Sequence, residues 1–351
     1  MITTPRGREH PDAQAGHQMV LVTGGSGYLG SWTIVELLRR GYHVRTTIRD
    51  IAREDLVRSM IATQTTAPDR LAFVQANLLE DAGWDQAAAG ADFVLHVASP
   101  MPVGEYRGTD LVSPAVEGTR RVLHAARAAG VRRVVPTSSA EAAVPQKNSG
   151  RIAEETIWRD VSVTSSDEYA RAKTVAEREA WSFAESVGDL ELSTVLPCFM
   201  QGPVLGVDYS GSVDAVAMML GGKLPAIPRI GWNIVDVRDI VELHLLAMTS
   251  PKALGERFIG SGEFFWLKDI AAILRDNLGA RAKKVPRRTL PNTFVKAGAL
   301  VSGLMQDLVP RLDNEQPVSS AKARRILGWT TRPAAISLLQ TAQSLIELEL
   351  V

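Results

Sequence analysis

Cysteine occurs once in the 351 residues, at Cys198, so no disulfide can close within the chain and a reducing, cytoplasmic setting is expected. Neither sign of charge is in surplus, with 39 Lys and Arg against 39 Asp and Glu. A nucleic acid or an anionic membrane would ask for a basic excess, so neither is an expected partner. No apolar run approaches the ~20 residues of a membrane helix. The stretch ahead of Met19 is rich in Arg, His, Gln and Pro and lacks the hydrophobic segment of a secretory signal. Residues 1–18 are therefore expected to be a disordered leader. Histidine is scarce as well: the six show no metal-binding spacing beside a carboxylate, and no metal is expected. His96, inside an apolar strand pattern, reads as a satisfied core histidine.

What is present has a strong rhythm. "QMVLVTGGSGYLGSWTIVELLRRGYHVRTTIRD" runs from an apolar burst at 19–22 through a glycine-rich turn into a helical pattern with Ile34, Val35, Leu37 and Leu38 on one face. Gly41 closes that helix, and Val44, Thr46 and Ile48 alternate as a strand. Strands follow at "RLAFVQANL", "ADFVLHVAS", "RRVVPTSSA" and "LELSTVLPC", separated by helices at 84–89, "VEGTRRVLHAARAAGV" and "SSDEYARAKTVAEREAWSFAESVG". Strands alternating with helices imply an α/β fold, a Rossmann-type doubly wound parallel sheet. Beyond Pro197 the texture turns rich in Gly, Pro and Met, with helical patterns at "VDAVAMML", "RDIVELHLLAMTS" and Leu267–Leu278 and strand patterns at "WNIVDV" and "GERFIGSG". The expected organisation is a dinucleotide-binding domain over 19–198 and a smaller, mostly C-terminal substrate-binding lobe over 199–351, interleaved with the last sheet elements.

The turn Thr23-Gly24-Gly25-Ser26-Gly27-Tyr28-Leu29-Gly30 spaces its glycines as G-x-x-G-x-x-G, after a strand and before a helix. In that context Gly24 permits a tight turn, Gly27 lets backbone amides approach a pyrophosphate, and Gly30 allows close helix–sheet packing. Past the second strand, Asp50 has the spacing of a ribose-binding acid and keeps NAD open, whereas Arg49 suits a 2′-phosphate. NADP(H) is the expected cofactor. Four residues separate Tyr169 from Lys173 on a helix, so the two share a face. A strand of the same sheet ends in Thr137-Ser138-Ser139, at the edge where open α/β sheets bind ligands. A tyrosine can protonate a developing alkoxide, a nearby ammonium lowers its pKa, and a serine hydroxyl holds the carbonyl oxygen.

"VTGGSGYLGS", "VRTTIRD", "HVASP", "VVPTSSA", "YARAK" and "VDVRDI", in this order, resemble the extended short-chain dehydrogenase/reductases, and within them the dihydroflavonol reductase-like aldehyde and ketone reductases. The resemblance spans nearly the whole chain from about Met19. It implies that Gly24, Ser26, Gly27, Tyr28 and Leu29 surround the pyrophosphate and that Arg49 takes the 2′-phosphate, with Ile48 where NAD-using relatives carry an acid. Asn77 and Leu78 match an Asp-Leu beside the adenine, with Asn in place of Asp. Val97, Ala98 and Ser99 line the cofactor. Ser139 matches the catalytic serine, with Ser138 as the alternative, Tyr169 the acid/base, and Lys173 the residue that holds the ribose and lowers the tyrosine pKa. Pro197, Cys198 and Phe199, followed by Gly202-Pro203, match the segment near the nicotinamide.

Where plant flavonoid reductases carry an asparagine after the catalytic serine, this chain has Glu141-Ala142-Ala143-Val144, and Asn233 stands near the position of a glutamine. Those departures argue against a flavonoid. Substrate walls are expected from Met101, Val103, Phe199, Met200, Val204, Tyr209, Met218, Trp232 and Asn233. Cys198 has no evident base and is not expected to be a nucleophile. Asp236, Arg238 and Asp239 are expected to form a structural polar network. The expected activity is NADPH-dependent reduction of a small-molecule aldehyde or ketone by a monomer or homodimer. Its rivals are a sugar-nucleotide epimerase or dehydratase and a non-catalytic NADP sensor.

Overall fold

β1 (Met19–Thr23) is apolar on both sides because both of its faces are covered. Val20 and Val22 pack into one core cluster, Leu21 into another, the period-two split of a strand in the middle of a parallel sheet. The computed structural model describes residues 15–65, 67–100, 110–146, 149–162, 167–300 and 302–351. Within the expected leader, Ala15–His17 form a single 3₁₀ turn, and residues 1–14 lie outside the described residues.

In chain order, β1 leads to α1 (Tyr28–Arg39), β2 (His43–Ile48), α2 (Glu54–Ala62), β3 (Leu71–Gln75), α3 (Trp84–Ala88), β4 (Phe93–His96), α4 (Val112–Ala128) and β5 (Arg133–Pro136). Then come α5 (Glu168–Val187), β6 (Glu191–Leu192), β7 (Thr194–Pro197), β8 (Phe199–Gln201), α6 (Gly211–Leu220), β9 (Ile227–Pro228), β10 (Gly231–Asp236) and α7 (Val237–Thr249). The chain continues through β11 (Arg257–Gly260), β12 (Phe264–Trp266), α8 (Leu267–Leu278), β13 (Thr289–Leu290), α9 (Asn292–Gly298), α10 (Gly303–Leu308), α11 (Ala321–Leu327) and α12 (Ala334–Glu347).

The central sheet is parallel throughout, ordered β3-β2-β1-β4-β5-β6. The strand expected near 190–198 is broken at Ser193 into β6 and β7, yet both halves stay beside β5. Ser193 donates to Val134 at 3.3 Å, and Ser138 donates to Val195 at 2.8 Å. β7 in turn pairs with β11, so a strand from the C-terminal half extends this layer. α1 and α7 cover one face, and α3, α4 and α5 the other. The chain leaves β1 toward β2 and β3 on one side and reaches β4 and β5 on the other. This is the topological switch that opens a ligand crevice at the carboxyl ends. A second layer, β8 parallel to β10 and β12 antiparallel to it, stands beside that crevice.

Candidate active site

The turn after β1 is closed against the exit of β4. The Thr23 hydroxyl accepts from the Val97 and Ala98 N–H groups, each at 3.0 Å, which uses both lone pairs. Its proton therefore goes to His96 Nδ1, 2.9 Å away. Burial pushes the His96 pKa down to about 3, so this imidazole is neutral. Gly24 has φ +74°, and a Cβ there would stand 3.1 Å from the Ala98 Cα, while one on Gly30 would fall 2.2 Å from the Gly24 carbonyl oxygen. Side chains at these two positions would fill the turn. α1 begins at Gly27 with no side-chain cap, which leaves first-turn N–H groups of Tyr28 and Leu29 for an anion.

The Tyr28 side chain points away from the glycine turn. The phenol is buried and donates to the Gly202 carbonyl at 2.8 Å, so the ring ties α1 to the exit of β8. Only its backbone N–H remains for a phosphate. Trp32 does the same work one turn later, donating to Pro203 at 2.7 Å.

At the end of β2, Arg49 is exposed, as is Asp50. The Asp50 carboxylate caps the next turn by accepting from Ala52 N–H at 3.0 Å. Nearby, Arg45 donates to the Ala87 and Ala89 carbonyls, and Arg53 pairs with Asp208 at 2.7 Å. Asn77 accepts from Leu79 N–H at 3.2 Å and donates to Glu80 at 3.1 Å, an Asx turn that presents Leu78 to Gly118 of α4.

α5 carries both Tyr169 and Lys173, one turn apart. Its N-cap is Asp167, which accepts from Ala170 N–H at 3.0 Å and pairs through its other oxygen with Arg311 at 2.8 Å. The two serines at the β5 exit divide. Ser138 donates to Glu177 at 2.6 Å, whereas the Ser139 hydroxyl accepts from the Glu141 N–H at 3.2 Å and lies close enough to the Tyr169 phenol to pull its pKa down. Lys173 Nζ donates to the Thr137 carbonyl at 3.0 Å. Desolvation raises the Tyr169 pKa to about 12; Ser139 and Arg311 pull it down, Glu141 and Asp167 push it up, and Lys173 is not among these influences. Desolvation likewise lowers Lys173 to about 8, with Glu177 acting against it. The expected lowering of the phenol by Lys173 is absent from this arrangement, in which the ammonium is turned to the Thr137 carbonyl. A cavity of about 20 Å³ lies behind Lys173, lined by Leu78, His96, Ser99, Thr119 and Ser138. It has room for about one water.

Phe199 and Trp232 stack at 4.4 Å and an interplanar angle of 13°. Met200 and Tyr209 are half-buried against the same core cluster, Met218 is half-buried on α6, and Pro197 is buried against Gly260. Val204 is a correction: it is 4% exposed, and its N–H donates to Ser344 of α12, so it belongs to the core and offers no wall. Asn233 donates its amide to the Gln316 carbonyl at 2.9 Å. Met101 and Val103 lie outside the described residues. Burial pushes the Cys198 thiol up to about 12, so it stays protonated. Asp236 caps α7 and binds Arg238 and Ser337, while Asp239 pairs with Arg332. These links join β10, α7 and α12.

Glu177, Arg257, Thr23 and His244 join the site without having been expected in it. For Glu177 a signal existed: it continues the Tyr169, Lys173 spacing by four. No group of metal-binding side chains occurs among the described residues, and no helix there is long and apolar enough to cross a membrane.

The family model for the NAD dependent epimerase/dehydratase family matches residues 20–259. Cinnamoyl-CoA reductase 1 of Oryza sativa subsp. japonica is 38% identical over 263 residues, 74% of this chain and 75% of that one. Dihydroflavonol 4-reductase of Zea mays is 30% identical over 322 residues, 89% of this chain and 84% of that one. Among solved structures, yeast methylglyoxal/isovaleraldehyde reductase Gre2 complexed with NADPH superposes with a TM-score of 0.76 at 22% identity, covering 95% of this chain and 99% of that one. That likeness shows the fold.

Proposed function

We propose a function for this chain on one premise: it belongs to the NAD dependent epimerase/dehydratase family, and within it to the extended short-chain reductases of the dihydroflavonol reductase-like group. It reduces an aldehyde or ketone with NADPH. The observation that carries this reading is the gathering of Ser139, Tyr169 and Lys173 at the carboxyl edge of the sheet, the serine beside the phenol and the lysine one helical turn away.

The residues present fit NADP(H). The closed glycine turn and the side-chain-free start of α1 suit a pyrophosphate held by Gly24, Ser26, Gly27 and the amides of Tyr28 and Leu29. Arg49 is exposed at the end of β2, where its guanidinium suits a 2′-phosphate, and one oxygen of Asp50 caps its own turn. Asn77 and Leu78 would flank the adenine; Val97, Ala98, Ser99, Pro197 and Phe199 would flank the nicotinamide. When bound, the cofactor supplies the hydride.

The chain supplies the rest. The Ser139 hydroxyl orients the carbonyl oxygen. Tyr169, with its phenol at about 12, is protonated at neutral pH and gives that proton to the same oxygen as negative charge develops. Lys173, one helical turn from the phenol, would hold the ribose. Phe199, Met200, Tyr209 and Trp232 offer an apolar wall suited to an aryl or branched alkyl carbonyl.

The test is loss of reduced-nicotinamide absorbance against a panel of aryl ketones, aldehydes and diketones, with NADH in parallel. Turnover with NADPH is expected, and Tyr169→Phe should lower it about 100-fold or more. Arg49→Ala should weaken NADPH about tenfold or more and leave NADH nearly unchanged. Failure of every carbonyl, or a Tyr169→Phe enzyme at full rate, overturns the reductase reading. Rearrangement of a sugar nucleotide without net NADPH loss would replace it by epimerase chemistry.

A further inference from the structure

Glu177 lies on α5 four residues beyond Lys173, on the same face. It is 3% exposed and fully bonded. One carboxylate oxygen accepts from the Thr194 hydroxyl at 2.7 Å and from Arg257 Nε at 2.8 Å. The other accepts from the Ser138 hydroxyl at 2.6 Å and from the far Arg257 nitrogen at 3.0 Å. Arg257 in turn donates to the Glu155 and Ile157 carbonyls, each at 2.8 Å, and lies 3.7 Å over the Trp158 ring. A bidentate pair with every oxygen satisfied is the geometry in which a buried ion pair persists.

A clamp between α5, β7 and β11 would account for the burial alone. The register at the β5 exit asks for more. Three consecutive residues there each face one of three residues on α5 spaced by four. Lys173 bonds the Thr137 carbonyl, Glu177 accepts from the Ser138 hydroxyl, and the Tyr169 phenol stands beside Ser139. The hydrogen bond to Ser138 fixes the backbone that presents the Ser139 hydroxyl to the phenol.

Around Lys173, His96 faces it from β4 and His244 from α7, and burial holds both imidazoles neutral, at about 3 and about 4. Tyr169 on the same helix is neutral as well. Glu177 is the charged group that acts on the ammonium, opposing its desolvation, and Arg257 stands on the other side of the carboxylate.

We propose that Glu177 is a positioning residue for the reduction: it sets the register of α5 against the β5 exit and keeps the Lys173 ammonium charged. The proposal rests on the reductase reading, which wild-type turnover and the Tyr169→Phe loss test separately.

The experiment compares Glu177→Gln, Glu177→Asp and Ser138→Ala in kcat, carbonyl KM and the pH profile of kcat/KM with NADPH varied. Glu177→Gln should lower kcat about tenfold or more with KM within about threefold, and move the alkaline limb about one pH unit or more toward acid. Glu177→Asp keeps the charge, so its limb should stay at the wild-type position while kcat falls. Ser138→Ala keeps both charge and ion pair, and should lower kcat about threefold or more with the limb unmoved. A folded Glu177→Gln enzyme with a wild-type limb overturns the electrostatic role. Should Glu177→Gln fail to fold, the other two variants decide: wild-type kcat in both, or a shifted limb in Glu177→Asp, overturns the proposal.

Discussion

At Lys173 the demands of folding and of chemistry oppose one another. The side chain is 7% exposed, and burial takes its pKa from 10.5 to about 8. Because the folded value is the lower one, the unfolded chain binds this proton more tightly. The associated stability is present above pH 10.5 and is lost as pH falls through about 8, so at neutral pH the ammonium destabilises the fold by about 3 kcal/mol at most. Removing it leaves the Thr137 carbonyl without its donor, a loss of about 1 kcal/mol. Lys173→Met should therefore melt higher than wild type at pH 7, by about 1–2 kcal/mol, while carbonyl reduction collapses. A thermal melt read beside the assay checks it, and a Lys173→Met protein that melts lower would refute the account. Tyr169, Lys173 and the serines were legible in the sequence because their spacing and their place at a strand end are local properties. Glu177 was not. A carboxylate on a helix ordinarily reads as solvated, and the topology of the sheet is what carries Ser138, Thr194 and Arg257 to it.

The same division between local and assembled information holds for elements. The Leu267–Leu278 helix was readable to the residue, since its buried Leu267, Ile270, Ala271 and Leu274 repeat at three and four. α2 leaves no helical signature in the sequence because it buries only Val57 and Ile61, too few positions to show a period. β8 and β12 have three residues each and leave no room for alternation; their pairing with β10 defines them. For α5 the sequence offers a Ser or an Asp as cap and Gly188 as stop; the structure has Asp167 as the cap and Gly188 in the left-handed region at φ +70°. Its first turn carries Tyr169, and a frayed turn would misplace the proton donor. Asp167→Ala removes the cap and the Arg311 pair together, and should cost about 1 kcal/mol in urea unfolding with a fall in kcat. Asp167→Asn keeps an acceptor for Ala170 N–H and gives up the pair, so most of the stability should return. Equal losses in the two variants would assign the stability to the ion pair instead of the cap.

For the molecule as a whole, the balance of 39 basic and 39 acidic residues leaves no general repulsion to drive unfolding in mild acid. Two buried histidines supply a specific reason instead. His96 leaves β4 bonded to Thr23, and His244 of α7 holds Ile240 through Nδ1–H at 2.8 Å while its Nε2 accepts from the Thr137 hydroxyl at 2.8 Å. They flank the Thr137 strand end from the two halves of the chain. Burial lowers their pKa values from 6.5 to about 3 and about 4. In the unfolded chain both protonate near 6.5, so the unfolded state binds more protons below that pH. The stability is present above pH 6.5 and is lost as pH falls toward the folded values. Between pH 6 and 5, above the ordinary carboxylate range, nearly two extra protons enter on unfolding, and stability should drop by about 2 kcal/mol per pH unit. Urea titrations of the cofactor-free protein across that window measure the slope. His244→Gln removes one of the two groups and should roughly halve it; a slope that His244→Gln leaves unchanged would place the acid sensitivity elsewhere in the fold.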